Sequence, residues 1–447
     1  MRTELRIKRV DLKCIIVAFL ICIFSTTSSL IFIIAHYSIM RLFLAVAGFG
    51  LQLFFLTYKQ KLSSRDIPYV ILAILMCLVT IRNNEMPLYR MIVFWSAITL
   101  SFFTARFGQV RKYIVGMSLL MYFFYAFWTI FLYFNKSFYL NHVVGLFPET
   151  KNRLINWYNQ GCMSGLTEHY STNAMFLATG VIIMIMIFVE TRKKRDLFLL
   201  GFLTIALLMT GKRAHLLFTA AAVYGTYYFS MVKKDPIKKF AKLILIVLVI
   251  VLTIVLAIQF VPALAVGITR ILDLFNSDSA GDDQSVATRF ELWKLAIREF
   301  KKHPILGIGW KQFKGTISVE RFSNYSFDTH NVFLQLLCET GVIGFTFYTT
   351  WFITMLIKSL RVYKYMMRTN CVPHDKVFIN FALCFELFFL MYCFTGNPLY
   401  DFMTNVPYFF SCGIIMYYDR TYCPQLNLIK RIFKSGDLNE NRNINIS

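Results

Sequence analysis

Long apolar runs separated by short basic clusters restrict this chain more than any other feature of its sequence. About 20 apolar residues cross the hydrocarbon core of a bilayer as one helix. Backbone groups in lipid need partners within the segment, so such runs form helices. The ten-residue alternation of a transmembrane β-barrel is absent from the sequence. Runs fall near 12–34, 40–58, 67–81, 88–105, 113–134, 171–190, 197–210, 214–231, 243–262, 330–357, 377–396 and 402–418. The expectation is an all-α polytopic membrane protein of about twelve transmembrane helices. Hydrophobic residues make up 57% of the chain and charged ones 16%, against roughly a quarter charged in a water-soluble domain. The run from Leu12 to Ile34 follows a basic start, as a signal peptide does. It is longer than a signal peptide's apolar region and lacks a small-residue cleavage site, so it reads as an uncleaved first helix.

The net charge of +23 raises nucleic acid as a partner, but the basic residues sit between apolar runs, as in cytoplasmic loops. With both termini inside, the cytoplasmic segments carry 30 of the 47 basic residues. External connections other than the long loop 263–329, with the outer ends of the adjoining spans, carry 8. Long loops escape the charge rule, so this is the comparison that orients the chain. The clusters Arg192 to Arg195 and Lys233 to Lys239 fix its middle. The expected location is the cytoplasmic membrane, multi-pass, with no nucleic-acid partner. The ten cysteines lie mostly inside apolar runs and form no C-x-x-C pair, which argues against a disulfide framework or a zinc site. The resulting organisation is helices one to nine over 1–262, a long external loop over 263–329, helices ten to twelve over 330–418 and a cytoplasmic tail over 419–447.

Two external loops are longer than connectors need to be. In 135–170, Trp157 and Tyr158 are placed at the membrane interface. In 263–329, Thr288-Arg289-Phe290-Glu291 reads as a capping box opening a helix. Phe290, Trp293, Ile297 and Phe300 form its apolar stripe, and His303-Pro304 ends it. Gly307 and Gly309 mark a tight turn. Asp328 or Thr329 is expected to cap the tenth span, which puts His330 on that span's first turn, where free N–H groups and the positive dipole end suit an anion. Asn331, Gln335 and Glu339 follow at i, i+4 and i+8 as one polar stripe. Gly341 and Gly344 allow close helix approach. Lys212 and Arg213 stand at the outer end of the seventh span, where two cations between apolar helices need an anion or water. An arginine fork suits phosphate oxygens.

These residues resemble a known family. His330-Asn331 followed by Gly341 and Gly344 looks like the His-Asn…Gly-x-x-Gly element of the O-antigen ligases and polysaccharide polymerases. Arg289 with Trp293, the His-Pro-x-x-Gly-x-Gly turn from His303 to Gly309, and Arg213 also resemble it. The family often has Ser-Arg where this chain has Lys212-Arg213. In detail the likeness covers roughly 200–357. It implies a fold of the membrane glycosyltransferase type, no metal and no cofactor, and an undecaprenyl-pyrophosphate-linked oligosaccharide as donor. The catalytic residues it implies are His330, Arg289 and Arg213. Lys212, Asn331, Gln335, His169 and Glu168 are the substrate-binding candidates. A flippase and a chain-length regulator are further partners beside the lipid bilayer.

Each of these residues also has a plainer reading. His330 serves equally as a helix-capping residue at the interface, Arg289 as a solvated first-turn residue, and Arg213 as a snorkelling anchor. Trp293 and Phe290 read as packing, His303 as structural, and Tyr400 and Asp401 as turn residues. Glu339 and Glu386 are intramembrane carboxylates and hence functional candidates, or protonated partners of neighbouring helices. The function expected is polymerisation of lipid-linked repeat units on the outer face of the cytoplasmic membrane. A ligase moving finished glycan to lipid A core or protein is the nearest alternative, and a lipid-linked glycan flippase or exporter the next. Transporters tend to show repeated halves, and no such repeat stands out here.

Overall fold

The computed structural model describes residues 2–26, 38–58, 65–84, 86–230, 284–314, 327–369 and 371–423. Every regular element among them is helical. The main helices are α1 (Arg2–Thr26), α2 (Ser38–Thr57), α3 (Ile67–Val79), α4 (Leu88–Arg106), α5 (Val110–Phe134), α6 (Lys151–Asn159), α7 (Tyr170–Thr191), α8 (Lys194–Met209), α9 (Arg213–Ser230), α10 (Gln284–Lys302), α11 (Val332–Arg368), α12 (Pro373–Tyr392) and α13 (Phe402–Tyr422). Eleven of the twelve expected spans coincide with one of these helices. The span expected at 243–262 lies outside the described residues.

The stretches Met40–Thr57, Leu88–Arg106, Val110–Phe134, Tyr170–Thr191 and Val332–Arg368 are long and apolar enough to cross a membrane. The outer faces of α2, α5 and α8 carry large apolar side chains: Phe43, Leu120 and Phe198 are each about 70% exposed. Apolar exteriors on this scale do not suit water and do suit lipid, so the chain is a multi-pass membrane protein. Lipid gives apolar side chains no hydrophobic reason to pair with one another. Helices in a bilayer therefore associate through close packing at small residues. At Gly413 of α13, an added Cβ would lie 2.7 Å from the Ser101 carbonyl oxygen of α4. That close approach lies on the most extensive helix–helix seam among the described residues. α12, α11 and α1 complete the packing around α13.

One end of the bundle is tied by charge. Arg111, at the start of α5, donates to Asp375 in the first turn of α12 at 2.8 Å. The Tyr418 and Tyr422 hydroxyls of α13 donate to the same carboxylate at 2.9 and 2.7 Å. Arg420 pairs with Asp66 before α3 and donates to the Ala105 carbonyl oxygen, and Lys358 meets Asp419 at 3.2 Å. The segments 59–66, 106–112, 358–376 and 419–447, which charge alone assigned to one side, all contribute to this end.

At the opposite end α11 bends sharply. Gly341 has φ +62° inside the helix, a left-handed conformation that costs other residues energy. The bend frees backbone groups, which in a low-dielectric setting need other partners. The turn after α10 supplies them. Ile308 and Gly309 donate to the Cys338 and Glu339 carbonyls at 3.0 and 2.8 Å. Val342 and Ile343 donate to the Pro304 and Ile305 carbonyls at 2.9 and 3.3 Å. A Cβ on Gly307 would lie 2.3 Å from the Glu339 carbonyl carbon, and one on Gly341 2.3 Å from the Ile305 oxygen. Only glycines allow the two strips of backbone to meet. Gly341 thus serves this turn; Gly344 is the one that lets a helix approach, with Val79 of α3 2.7 Å from its ideal Cβ position.

Two helix starts differ from expectation. α10 opens at Gln284, ahead of the Thr288 box, so Arg289 lies in its second turn. Asn331, and neither Asp328 nor Thr329, caps α11: its side-chain oxygen accepts from the Phe333 and Leu334 N–H groups at 3.0 and 3.1 Å. His330 therefore stands just before the helix instead of on its first turn. Thr329 does not take the cap because it already bonds across the turn, its hydroxyl donating to the Asn331 carbonyl at 2.7 Å.

Candidate functional site

His330 has φ +54°, unusual for a residue with a side chain. Its neighbours hold it there. The Thr329 hydroxyl also accepts from the Asn331 N–H at 3.1 Å. Trp293 of α10 donates its indole N–H to the Thr329 carbonyl at 3.0 Å. The buried Gln335 takes the Thr329 N–H on its oxygen at 3.3 Å, while its amide nitrogen donates to Asp328 at 3.1 Å and Glu339 at 3.0 Å. Glu339 also accepts from the Lys311 N–H at 2.9 Å and the Tyr400 hydroxyl at 2.8 Å. The Lys311 ammonium closes the network on both Asp328 oxygens at 3.1 Å. The polar stripe expected along α11 is thus a bracket. It ties α10, the glycine turn and the start of α11 into one support for His330.

That support borders a cavity of about 530 Å³. Six basic side chains line it: Arg41, Arg90, Arg153, Lys212, Arg289 and Lys314. Three acidic ones, Glu168, Asp328 and Asp401, and three histidines, His169, His215 and His330, share the lining. Lys212, Arg289 and His330 act on one another electrostatically. Lys212 falls to about 8, chiefly through burial and then through the Arg289 and Arg213 guanidiniums, with Cys162 opposing. Its ammonium stands 5.4 Å over the Tyr170 ring. His330 is lowered to about 4 by burial and then by Arg289, against the opposing pull of Asp328. It is neutral at physiological pH. His169 is lowered to about 3 by burial, with Lys212 and Arg153 adding. Its Nδ1 caps α7 by accepting the Ser171 N–H at 2.9 Å. This leaves Nε2 as the atom bearing hydrogen in the neutral ring. Burial tends to raise Asp328, but the Lys311 charge and the Gln335 and Lys311 hydrogen bonds outweigh it, and its carboxyl is lowered. Burial raises Glu168 and Asp401, with basic neighbours opposing.

Of the residues singled out from sequence, His330, Arg289, Lys212, His169 and Glu168 line this one cavity. They come from α10, the ends of α7 to α9 and the lead into α11. Arg213 is close enough to act on Lys212 but is not among the lining residues. Asn331 and Gln335 do not line the cavity either: capping occupies the Asn331 oxygen, and Gln335 is 0% exposed inside its bracket. Trp157, expected at the interface, packs against His169 with ring centroids 4.3 Å apart and lines the cavity. Sequence reasoning gave no role to His215, Lys311, Arg41 or Arg90, and only a turn role to Asp401, which lines the cavity. Charge just inside the starts of the apolar runs 40–58 and 88–105 is the signal that marks Arg41 and Arg90. His215 follows Lys212 by one helical turn, and no pattern in the chain announces it. Among the described residues no group of three His, Cys, Asp or Glu side chains suits a metal ion.

The fold and the cavity together define a polytopic helical membrane protein with a cationic pocket at one end of the bundle. Residues 197–349, about a third of the chain, match the family model described as O-antigen ligase. The sequence resemblance to the O-antigen ligase and polysaccharide polymerase family therefore holds over that region, which contains Lys212, Arg213, Arg289 and His330. The chain is also similar to the exopolysaccharide production protein ExoQ of Rhizobium meliloti (strain 1021), 27% identical over 170 residues. That match covers 36% of this chain and 37% of the relative.

Proposed function

We propose that this protein is a polysaccharide polymerase that transfers glycan from an undecaprenyl-diphosphate-linked donor to the hydroxyl of a second lipid-linked glycan. The observation that carries the reading is the meeting of Lys212, Arg289 and His330 on one cavity although they come from three separate segments. Breaking a bond between the anomeric carbon and a diphosphate oxygen moves negative charge onto the diphosphate. Prearranged cations at that point lower the barrier because they need no reorganisation as charge develops. Lys212 and Arg289 are placed for that task, with Arg213 adding to the field. The neutral His330 imidazole takes the proton of the attacking hydroxyl as the new carbon–oxygen bond forms. The electron pair of the breaking bond passes to the diphosphate. Orientation by the charge bias puts this chemistry on the outer face of the cytoplasmic membrane, with both termini inside.

A ligase acting on finished glycan is the second reading, favoured by the match to the O-antigen ligase family model. Both readings share the donor and differ in acceptor. Purified protein in proteoliposomes, given lipid-linked repeat unit alone, is expected to produce a ladder of polymer on a gel. Correctly inserted His330→Ala and Arg289→Ala variants are expected to produce none. Full-length polymer from either variant would end this reading. A single product that forms only when a separate acceptor is added would turn it to the ligase.

A further inference from the structure

His215 lies in the first turns of α9 and is 1% exposed, yet it lines the cavity. Neither ring nitrogen has a hydrogen-bond partner among the described residues. A buried imidazole without partners is costly, since both its donor and its acceptor have left water. Its ring is held edge-on by Tyr392 at 4.8 Å and Phe388 at 5.9 Å, so it does not turn away to find a partner elsewhere. Two more side-chain atoms in the same lining, both on the segment that follows Tyr392, share this condition. The Thr395 hydroxyl and the Asn397 carbonyl oxygen are buried and lack partners among the described residues. They follow Tyr392, whose carbonyl accepts the Thr395 N–H at 3.1 Å.

The chemistry of this group differs from that of the neighbouring cations. Taken together, a hydroxyl, an amide oxygen and an imidazole with one N–H offer both donors and acceptors. Sugar hydroxyls do the same, and the apolar face of a sugar ring lies well against an aromatic ring such as Tyr392. Phosphate only accepts, and the Asn397 oxygen only accepts, so a phosphate is the wrong ligand for the group as a whole. Lys212 precedes His215 by one helical turn and acts on it electrostatically. A ligand whose charge lies at Lys212 therefore presents its next unit to His215.

We propose that His215, Thr395 and Asn397 form the subsite that hydrogen-bonds the hydroxyls of the sugar joined to the diphosphate. This deepens, and rests on, the reading of the cavity as a glycosyl-diphosphate site. Its test is affinity of the full chain in nanodiscs for undecaprenyl diphosphate and for the same lipid carrying one hexose or one N-acetylhexosamine. At least one glycosylated probe is expected to bind wild-type protein about tenfold more tightly than the bare lipid, the worth of about one well-made hydrogen bond. His215→Phe keeps the ring and removes both nitrogens, and Thr395→Val keeps the shape and removes the hydroxyl. Each is expected to bring that ratio close to one while leaving affinity for the bare lipid unchanged. His215→Gln, which keeps a donor and an acceptor, is expected to restore part of the ratio.

Equal weakening toward both kinds of probe would assign His215 to the diphosphate and overturn the proposal. So would a wild-type ratio of one with both sugars, or a ratio untouched by the substitutions. If His215→Phe fails to fold, Thr395→Val decides alone. Arg289→Ala serves as the separate arm: unchanged binding of bare undecaprenyl diphosphate would sink the diphosphate reading itself, whatever the sugar ratio does.

Discussion

Lys212 offers a test of the cationic pocket that does not depend on turnover. Burial and the neighbouring guanidiniums hold its ammonium at about 8, well under the ordinary 10.5. A diphosphate seated against it favours the charged form and drives the value back up. The sign follows directly. Below pH 8 the free protein already carries the proton, so affinity for a diphosphate is level. As pH rises through 8 the free protein loses the proton that the complex keeps, and affinity falls. The steepest slope for one group is tenfold per pH unit. If the bound value returns to the ordinary one, affinity declines by about twentyfold between pH 7.5 and 9.5. Phosphate monoesters titrate near pH 6, so the ligand is constant over this window. The assay is the dissociation constant of undecaprenyl diphosphate for nanodisc-embedded protein at half-unit steps. Lys212→Gln is expected to bind more weakly at pH 7.5 and with little slope above it. A level wild-type profile, or a slope that survives in Lys212→Gln, would refute the placement of Lys212 against the diphosphate.

Two stability experiments probe the scaffold at its opposite ends. Gly341→Ala forces a Cβ to within 2.3 Å of the Ile305 oxygen at φ +62°. The left-handed strain alone is worth about 1–2 kcal/mol, so heating followed by fluorescence-detected size exclusion is expected to show a clear drop in melting temperature; an unchanged value would mean that the bend tolerates a side chain. Arg111→Ala strips Asp375 of its 2.8 Å partner while two tyrosine hydroxyls still donate to it. A loss of about 2–4 kcal/mol is expected in the same assay with polymer length per folded molecule unchanged, and a shift in polymer length would show that this end is coupled to the pocket.

The helices were readable because lipid leaves the backbone a single solution, and the apolar runs mark where that solution applies. Their ends were less so. Thr288 to Glu291 has the composition of a cap, but α10 begins ahead of it, since a helix start is fixed by which N–H groups find partners. Asp328 and Thr329 resembled caps as well, but both are engaged elsewhere: Asp328 by Lys311 and Gln335, Thr329 by Asn331 and Trp293. For the cavity, the motif residues His330 and Arg289 and the cation Lys212 stood out by type and position. Gln335 stood out too and proved to be support, because a polar stripe has the same spacing whether it faces a ligand or another helix. His215 was hidden for the opposite reason: it reaches the cavity through the fold alone and has no local neighbour that betrays it.

The interchange of backbone bonds between the glycine turn and α11 carries a mechanical consequence. In an uninterrupted helix the carbonyls of Cys338 and Glu339 would be claimed from within; here the turn at 304–309 claims them. Straightening α11 and letting go of that turn are therefore a single event. Arg289, carried by α10 on the near side of the clasp, and His330, carried on the far side, keep a fixed spacing for as long as it stays shut.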